Sequence, residues 1–306
     1  MVYPVASGHP DYSGLLIPQV WSPRILEKFY EFSVLESIAN TNYEGEITAY
    51  GDKVIIRMRP DIIIRDYVKG QPLQTQRPDQ PVTNLQIDRG HYWNILIEDV
   101  DAAQADIDYM EEWTEGAAEQ LNERINEVVL GEIYTDSAPE NSGATAGRKS
   151  GYWDLGATGS PRSITKANVV DVLGECAATL TEYKIPERDR WMVIPAWMKQ
   201  QVYASDSRSD LIKGGDQDML RKGHIGSIAG FDLYLSNQLT DVADGSDLAT
   251  NVVFGHKSAL TFASQLTNSD VLKTESAFGR LARGLSVYGF NVVKPDAMGT
   301  LYCTKG

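Results

Sequence analysis

The sequence predicts an α+β chain in which one very long helix separates a two-stranded excursion from a mixed region of helices and strands. Three observations predict it. Apolar residues alternate with period two between residues 53 and 97, they keep helical spacing from 107 to 129, and short apolar strands return after residue 190. The chain has 306 residues, 42% of them hydrophobic, which is enough to bury a core as one large domain or two smaller ones.

Residues 1–20 are predicted to form an extended arm, because three prolines and two glycines interrupt the segment. Ser22 and Pro23 then provide an N-cap and a first-turn proline for a helix that we expect to end near Asn40. The apolar face of that helix recurs at steps of mostly three and four residues, at Ile25, Leu26, Phe29, Phe32, Leu35 and Ile38.

Residues 45–98 are predicted to form a long two-stranded excursion with a proline-stiffened tip. Alternation begins around Val54, continues through 62–64, and resumes from Leu85 to Ile97 after three prolines. A ribbon of this length has no core of its own and is marginal in water. We therefore expect it to pack on another part of the chain or on a neighbouring subunit.

Negative charge is concentrated in one segment. The formal net charge is −14, and residues 98–140 contain 14 acidic residues and a single basic one, Arg124. The rest of the chain therefore has a net charge of −1. A pI near 4.7 argues against a surface that coats DNA or RNA, since phosphate binding needs clustered Lys and Arg.

The acidic segment is predicted to form a helix over about 102–134, roughly 45–50 Å long at 1.5 Å per residue. Its apolar positions are Ile107, Met110, Trp113, Ala117, Leu121, Ile125, Val128 and Val129. Acids occupy the other face, at Glu111, Glu112, Glu115, Glu119, Glu123 and Glu127. A solvated helix face is one explanation. The lack of interleaved Lys and Arg favours another, in which the negative field is itself useful.

The remaining chain is predicted to be mixed. Residues 141–162 contain five glycines and are expected to form a flexible loop. Thr165 is expected to cap a helix that ends near Ile185. A buried strand at 191–194, a short helix at 196–203 and an exposed polar loop at 205–215 follow. Further strands are predicted around 231–235, 252–254, 285–288, 290–293 and 301–303.

The sequence contains few signs of catalysis. It has no phosphate-binding loop, no dinucleotide fingerprint, no HExxH and no GxSxG. Its four histidines have no metal-ligand spacing, and the acids at 99, 101, 106 and 108 lack the glycine and glutamate of a calcium loop. Cys176 and Cys303 are interpreted as reduced thiols of a cytosolic setting, with Cys176 packed inside a helix. No catalytic residue, metal or cofactor is predicted.

No apolar run is long enough to span a bilayer, and the N-terminus lacks a signal-peptide pattern. Membrane association and secretion are therefore not expected. An acidic α/β hydrolase that uses carboxylates such as Glu98 or Asp99 is the enzymatic alternative.

Residues 223–237 carry the sequence Gly-His-Ile-Gly-Ser-Ile-Ala-Gly-Phe-Asp-Leu-Tyr-Leu-Ser-Asn. This stretch resembles a recurring Gly-x-Ile-Gly-x-Ile-x-Gly-Phe-x-Val-Tyr-x-Ser-Asn motif of the major capsid proteins of tailed bacteriophages, which have the Hong Kong 97-type fold. Residues 287–296 are similarly typical of that family. The order of predicted elements also agrees over essentially the whole chain.

The resemblance implies a division of the chain. Residues 1–44 would form the N-arm and its helix, and 45–98 an extended loop that lies across a neighbouring subunit. A peripheral domain would comprise 99–162 and 245–306, with a spine helix at about 102–134. An axial domain would comprise 163–244, with its loops at the centres of pentamers and hexamers.

The resemblance also implies partners and a place of action. The protein would assemble with other copies in the host bacterial cytoplasm and then reside in the virion capsid around double-stranded DNA, without sequence-specific binding. A separate scaffolding protein, a portal and a cement protein are candidate partners. Some members of the family cross-link a loop lysine to an asparagine. Lys69 is a candidate donor here, although no residue is selected as its acceptor.

Charge suggests where neighbouring subunits meet. Residues 50–92 have a net charge of +2, opposite in sign to the acidic helix. We expect Arg57, Arg65 and Lys69 of the loop to contact acids of an adjacent subunit, such as Glu111, Glu115 and Glu119. A second hypothesis places the excess acid at the lumen, where it would repel DNA phosphates. A tail or portal component, or a decoration protein, remains an alternative from the same structural class.

Overall fold

The structure, a computed structural model, describes residues 33–42, 53–60, 62–98, 109–205, 224–245, 247–273 and 278–306. The predicted N-terminal arm, the helix start at Ser22, the acids at 99–108 and nearly all of the polar loop at 205–215 lie outside these residues. The side chain of Glu111 is also outside the described part, although its backbone is helical.

Four α-helices lie within the described part of the chain: α1 (Leu35–Ile38), α2 (Tyr109–Glu132), α3 (Val169–Glu182) and α4 (Ala196–Ala204). Helix α2 is the predicted long helix and continues as a 3₁₀ turn over Ile133–Asp136. Helices α3 and α4 confirm the two shorter helices that the sequence predicts. No helix among the described residues is long and apolar enough to cross a membrane.

The strands form three groups. A ribbon pairs β1 (Lys53–Arg57) with β2 (Val82–Gln86). A three-stranded sheet has the order β10 (Leu260–Lys273), β11 (Gly279–Val292), β3 (Arg89–Glu98). A seven-stranded sheet contains β4 (Arg162–Ile164), β5 (Arg190–Ile194), β6 (His224–Ile228), β7 (Phe231–Leu235), β8 (Asp241–Asp244), β9 (Asp247–His256) and β12 (Met298–Lys305).

The seven-stranded sheet forms the centre of the core. Strand β5 is buried along its whole length between β9 and β7, and α3 presents Val172, Leu173 and Cys176 to the same hydrophobic cluster. Strands β9 and β12 belong to this sheet although they follow residue 245. The sheet therefore crosses the boundary expected between the axial and peripheral parts.

The predicted two-stranded excursion is shorter than its sequence pattern suggests. Strand β3, which contains the alternation from Trp93 to Ile97, pairs with β11 instead of extending the ribbon. Residues 62–64 are not part of a strand either, and their side chains are exposed. Alternation with period two identifies a strand but not the strand it pairs with. The isoleucines at 62–64 are not strand residues, because no strand among the described residues pairs with them.

The motif at residues 223–237 forms the β6–β7 hairpin. Ala229 and Gly230 have φ values of 51° and 82°, the left-handed conformation at both central positions of a tight two-residue turn. Gly226, with φ of 115°, lies where the register of the hairpin shifts. Gly226 and Gly230 of the motif therefore have backbone roles.

Two further predictions need correction. Within the described residues, the helix expected to run from Ser22 to Asn40 is limited to α1, which begins at Leu35, because Ser33 and Val34 are not helical. The glycine-rich segment 141–162, predicted to be flexible, is held by backbone bonds. Ala146 and Trp153 form a bridge, and the Tyr302 amide donates to the Leu155 carbonyl at 2.8 Å.

Candidate assembly surfaces

The C-terminal half of α2 packs into the core, while its acidic face is exposed. Val129 and Leu130 are fully buried, because the helix lies over β3 and β11 there. Glu115, Glu119 and Glu127 are exposed on the other face, as the spacing predicts. Neither Glu115 nor Glu119 forms an ion pair with another described residue, so their charge is available to a neighbour.

Arg89 fixes the corner between the ribbon and the body of the protein. Its guanidinium donates two hydrogen bonds of 2.6 Å to the carboxylate of Glu132, at the end of α2. The same group lies 4.5 Å from the ring centroid of Phe290 on β11. These hydrogen bonds lower the pKa of the Glu132 carboxyl and raise that of the Arg89 guanidinium. The ribbon therefore leaves the body at a defined point.

The root of the ribbon is packed tightly. Ile56 and Leu85, one from each strand, are buried with Ile87 against Ala263 and Val293. At Gly289 the chains approach so closely that a Cβ there would lie 2.1 Å from the Gln86 carbonyl oxygen. This small core gives the ribbon a fixed base.

Beyond its root the ribbon is exposed and apolar. Between β1 and β2 the described residues form no strand, and local bonds such as Arg65 Nη1 to the Gln74 carbonyl at 3.1 Å hold the segment. We name the residues 62–73 the ribbon tip. Its large exposed apolar side chains are Ile62, Ile63, Ile64, Tyr67, Val68 and Leu73, between 53% and 88% exposed. So large an exposed apolar patch indicates an interaction surface.

The basic residues predicted to make contacts all lie on the ribbon. Arg57 ends β1, Arg65 lies along the tip, and Lys69 occupies a turn with Gly70, whose φ is 91°. All three side chains are exposed, and none forms an ion pair with a described acid of its own chain. The structure thus places both charged sets on the surface without bringing them together in one subunit.

A second apolar surface, which the sequence reasoning missed, is the sheet face that points away from α2. We name it the outer sheet face. Leu96, Leu281 and Leu272 form one row across the three strands, and Tyr92 and Leu285 form another. Between them lies a polar row of Asn94, Arg283 and Asp270, in which Arg283 and Asp270 form an ion pair at 3.7 Å. Tyr92 is 78% exposed, and Leu96, Leu272 and Leu285 are between 37% and 45% exposed. The alternation within β3 could have revealed this face. The outward positions of a strand at a solvated sheet face are usually polar, whereas Tyr92 and Leu96 are apolar.

The described residues contain no group of three His, Cys, Asp or Glu side chains that could hold a metal ion. Both cysteines are free and buried, as predicted for Cys176, and burial raises the pKa of the Cys303 thiol to about 12. Neither thiol is therefore a nucleophile near neutral pH.

The whole described fold is similar to solved phage capsid structures. A chain of a Mycobacterium phage Che8 structure matches with a TM-score of 0.73 and 24% identity, covering 93% of this chain and 96% of that one. The capsid asymmetric unit of cyanophage Pam1 matches with a TM-score of 0.70 and 11% identity, over 97% and 98% of the two chains. The chain has the phage capsid fold.

The capsid structure of cyanophage P-SCSP1u gives a TM-score of 0.69 at 16% identity, covering 95% of this chain and 94% of that one. No protein-family model and no curated protein matches the chain. The Hong Kong 97-type α+β fold predicted from the motif at 223–237 is confirmed by these whole-length similarities.

Proposed function

We propose that this chain is a major capsid protein, a structural subunit that assembles into the pentamers and hexamers of an icosahedral phage head. The observation that carries the proposal is the capsid fold over more than nine-tenths of both chains in each comparison above. The proposed role is structural, because the described surface offers apolar and charged contacts instead of a catalytic site.

The contact we propose joins the ribbon tip of one copy to the outer sheet face of another. The ribbon tip is apolar, the outer sheet face has apolar rows on both sides of the Arg283–Asp270 ion pair, and each copy carries one of each surface. A contact between two different surfaces of the same protein is heterologous, and it closes into rings when the rotation between copies allows it. Rings of five and six subunits are the assemblies that the family resemblance implies.

Charge supports the same arrangement. In the proposed shell, Arg57, Arg65 and Lys69 lie near the neighbour's Glu115 and Glu119, with Glu111 at the preceding turn of α2. Each exposed pair contributes roughly 0–1 kcal/mol. Because the pairs would repeat over the whole shell, they would help to fix how neighbouring subunits are aligned.

The remaining acids are proposed to face the lumen, where they would keep double-stranded DNA from adhering to the wall. This is consistent with DNA that is enclosed but not bound at specific sequences. A scaffolding protein and a portal are the further partners implied by the resemblance, and a cement protein is a candidate outside the shell. The location would be the virion capsid, after assembly in the host bacterial cytoplasm.

Charge reversal on the ribbon tests the proposed function. The triple variant Arg57→Glu, Arg65→Glu, Lys69→Glu is expected to reduce the yield of closed particles and to change how that yield depends on salt, as seen by electron microscopy and sedimentation. The control reverses three exposed charges elsewhere, at Lys166, Arg188 and Lys257. Equal particle yields and equal salt dependence for wild type and the ribbon variant would remove the charge contact from the proposal.

A further inference from the structure

A buried amide in the long helix joins two segments that lie far apart in the sequence. The side chain of Asn126, in α2, is fully buried. Its carbonyl oxygen accepts hydrogen bonds from the Val34 amide at 3.3 Å and from the Ser33 hydroxyl at 3.5 Å. Its Nδ2 group donates a hydrogen bond to Oε1 of Gln238. One side chain of α2 therefore holds the chain just before α1 and also the connection between β7 and β8.

The connection between β7 and β8, residues 236–240, contacts α2 at a second point. The Thr240 hydroxyl donates to the Gly131 carbonyl at 3.0 Å, further along the helix. Gln238 is itself held in place, because its amide donates to the hydroxyl of the fully buried Ser236 at 3.2 Å. Because the connection has two separate contacts with α2, one can be removed while the other is kept.

The neighbours of Asn126 set the orientation of its amide. The main-chain N–H of Val34 can only donate, so it must meet the carbonyl oxygen of Asn126. The Nδ2 group then faces Gln238, where it needs an acceptor. A reversed amide would place its own donor against the Val34 N–H. A rotation of the Asn126 amide that breaks one of its hydrogen bonds therefore breaks the other as well.

Burial makes the loss of either hydrogen bond costly. Val34 and Leu239, beside the two bonds, belong to the same hydrophobic cluster as Leu130 of α2. A polar atom that loses its partner in such surroundings stays unsatisfied. Hydrogen bonds in a chain also polarise one another, so the loss of one weakens the next. Removal of Gln238 Oε1 should therefore loosen the bond at Val34.

We propose that the Asn126 amide couples the chain at Ser33 and Val34 to the connection 236–240, so that release of either segment from α2 loosens the other. The coupling is reciprocal, because the same free energy links the two segments. It acts within one subunit. The proposal therefore goes beyond the shell function and holds whether or not the chain forms shells.

Hydrogen exchange in the unassembled full chain tests the proposal. Gln238→Leu removes the acceptor of Asn126 Nδ2 and leaves Val34 unaltered. Exchange at the Val34 amide is expected to become faster by at least about fivefold, the lower end of coupling between two sites. Mass spectrometry with electron-transfer fragmentation measures the rate at single residues. An unchanged rate at Val34 in the folded variant would overturn the proposal.

Two control variants separate the amide from the rest of the connection. Gln238→Glu keeps an oxygen that accepts from Nδ2, so Val34 is expected to exchange as in wild type. Thr240→Val removes the hydrogen bond to Gly131 but leaves the Asn126 amide with both of its partners. Its Val34 rate should stay near that of wild type. If either control accelerates Val34 as much as Gln238→Leu does, the Asn126 amide is not the link.

The reverse direction provides a second test. Val34→Pro removes the main-chain donor, because proline has no N–H. Exchange at the Gln238 amide is then expected to become faster, although this amide bonds to Ser236 and not to Val34. Exchange over Trp191–Ile194, at the centre of the core, reports whether each variant is folded. If Gln238→Leu fails this check, Val34→Pro decides, and an unchanged Gln238 rate in it contradicts the coupling.

Discussion

Arg190 places a charged side chain inside the core, with 2% of its surface exposed. Its guanidinium donates to the carbonyls of Ala177, Ile185 and Pro186 at 2.7–3.1 Å, around the C-terminal end of α3. Ala177 lies in the last turns of α3, whereas Ile185 and Pro186 follow the helix, so the guanidinium ties the helix end to the segment after it. A cation at this position is also favoured by the helix dipole.

We expect Arg190→Met to lower the free energy of unfolding by about 3 kcal/mol, because the hydrogen bonds of the buried guanidinium are lost. Arg188→Met, two residues earlier and exposed, should change it by less than about 0.5 kcal/mol. Chemical denaturation of the unassembled chain measures both. Equal stability of the two variants would show that water replaces the guanidinium.

The Arg89–Glu132 pair predicts a pH dependence. The pKa of the Glu132 carboxyl is lower in the folded chain than its ordinary value of about 4.5, mainly because Arg89 donates hydrogen bonds to it. Its contribution to stability is therefore fully present above about pH 4.5 and is lost as the pH falls through the lower, folded-state pKa.

In Glu132→Gln the loss of stability between pH 5 and pH 3 should be smaller than in wild type, measured by thermal unfolding at each pH. Glu115→Gln removes an exposed carboxylate without an ion pair among the described residues and should leave the wild-type curve unchanged. A Glu132→Gln curve parallel to that of wild type would mean that the pair forms in neither state or in both.

At the scale of elements, the ribbon depends on close contact at its root. Gly289→Ala would bring a Cβ against the Gln86 carbonyl, so β2 must move and the packing of Ile56 and Leu85 must loosen. We expect a loss of roughly 1–3 kcal/mol and faster amide hydrogen exchange over Thr83–Gln86. Gly90→Ala is the matched control, because its Cβ would make only ordinary 3.7 Å contacts. Similar exchange in the two variants would contradict a packed root.

The same elements show what the sequence could predict. The long helix, the buried strand at Trp191–Ile194 and the helix after it follow from local periodicity, and the structure confirms them. The pairing of β3 with β11 could not be predicted, since the two strands are almost 200 residues apart and period two carries no partner information. The break at Ser33 was also missed, because it depends on a side chain of α2, Asn126.

The candidate contact surfaces were predictable in part. Charge counts located Arg57, Arg65, Lys69 and the acidic face of α2. Where the structure describes their side chains, these residues are exposed, except for the half-buried Glu123. The outer sheet face depends on the register of three strands, which brings Leu96, Leu281 and Leu272 into one row. The alternation within β3 could have indicated its exposed apolar positions, but the register that joins the three strands into one surface could not be predicted from the sequence.

At the scale of the whole molecule, charge and exposed apolar surface are distributed unevenly, and the proposed assembly offers a reason for this distribution. The net charge of −14 comes almost entirely from the segment 98–140, while the ribbon is basic and its tip is apolar. An isolated chain would expose the ribbon tip and the outer sheet face to water at once. In the proposed closed shell, both surfaces would be buried and the acidic helices would share a common orientation.

Cryo-electron microscopy of the assembled particle tests this account most directly. We predict closed icosahedral shells in which the ribbon tip of each copy, residues 62–73, lies on the outer sheet face of a neighbour, with Lys69 or Arg65 within reach of that neighbour's acidic helix. Tubes, open rings or a monodisperse monomer would contradict the proposed shell. A closed shell whose ribbon tips project into solvent would contradict the proposed contact.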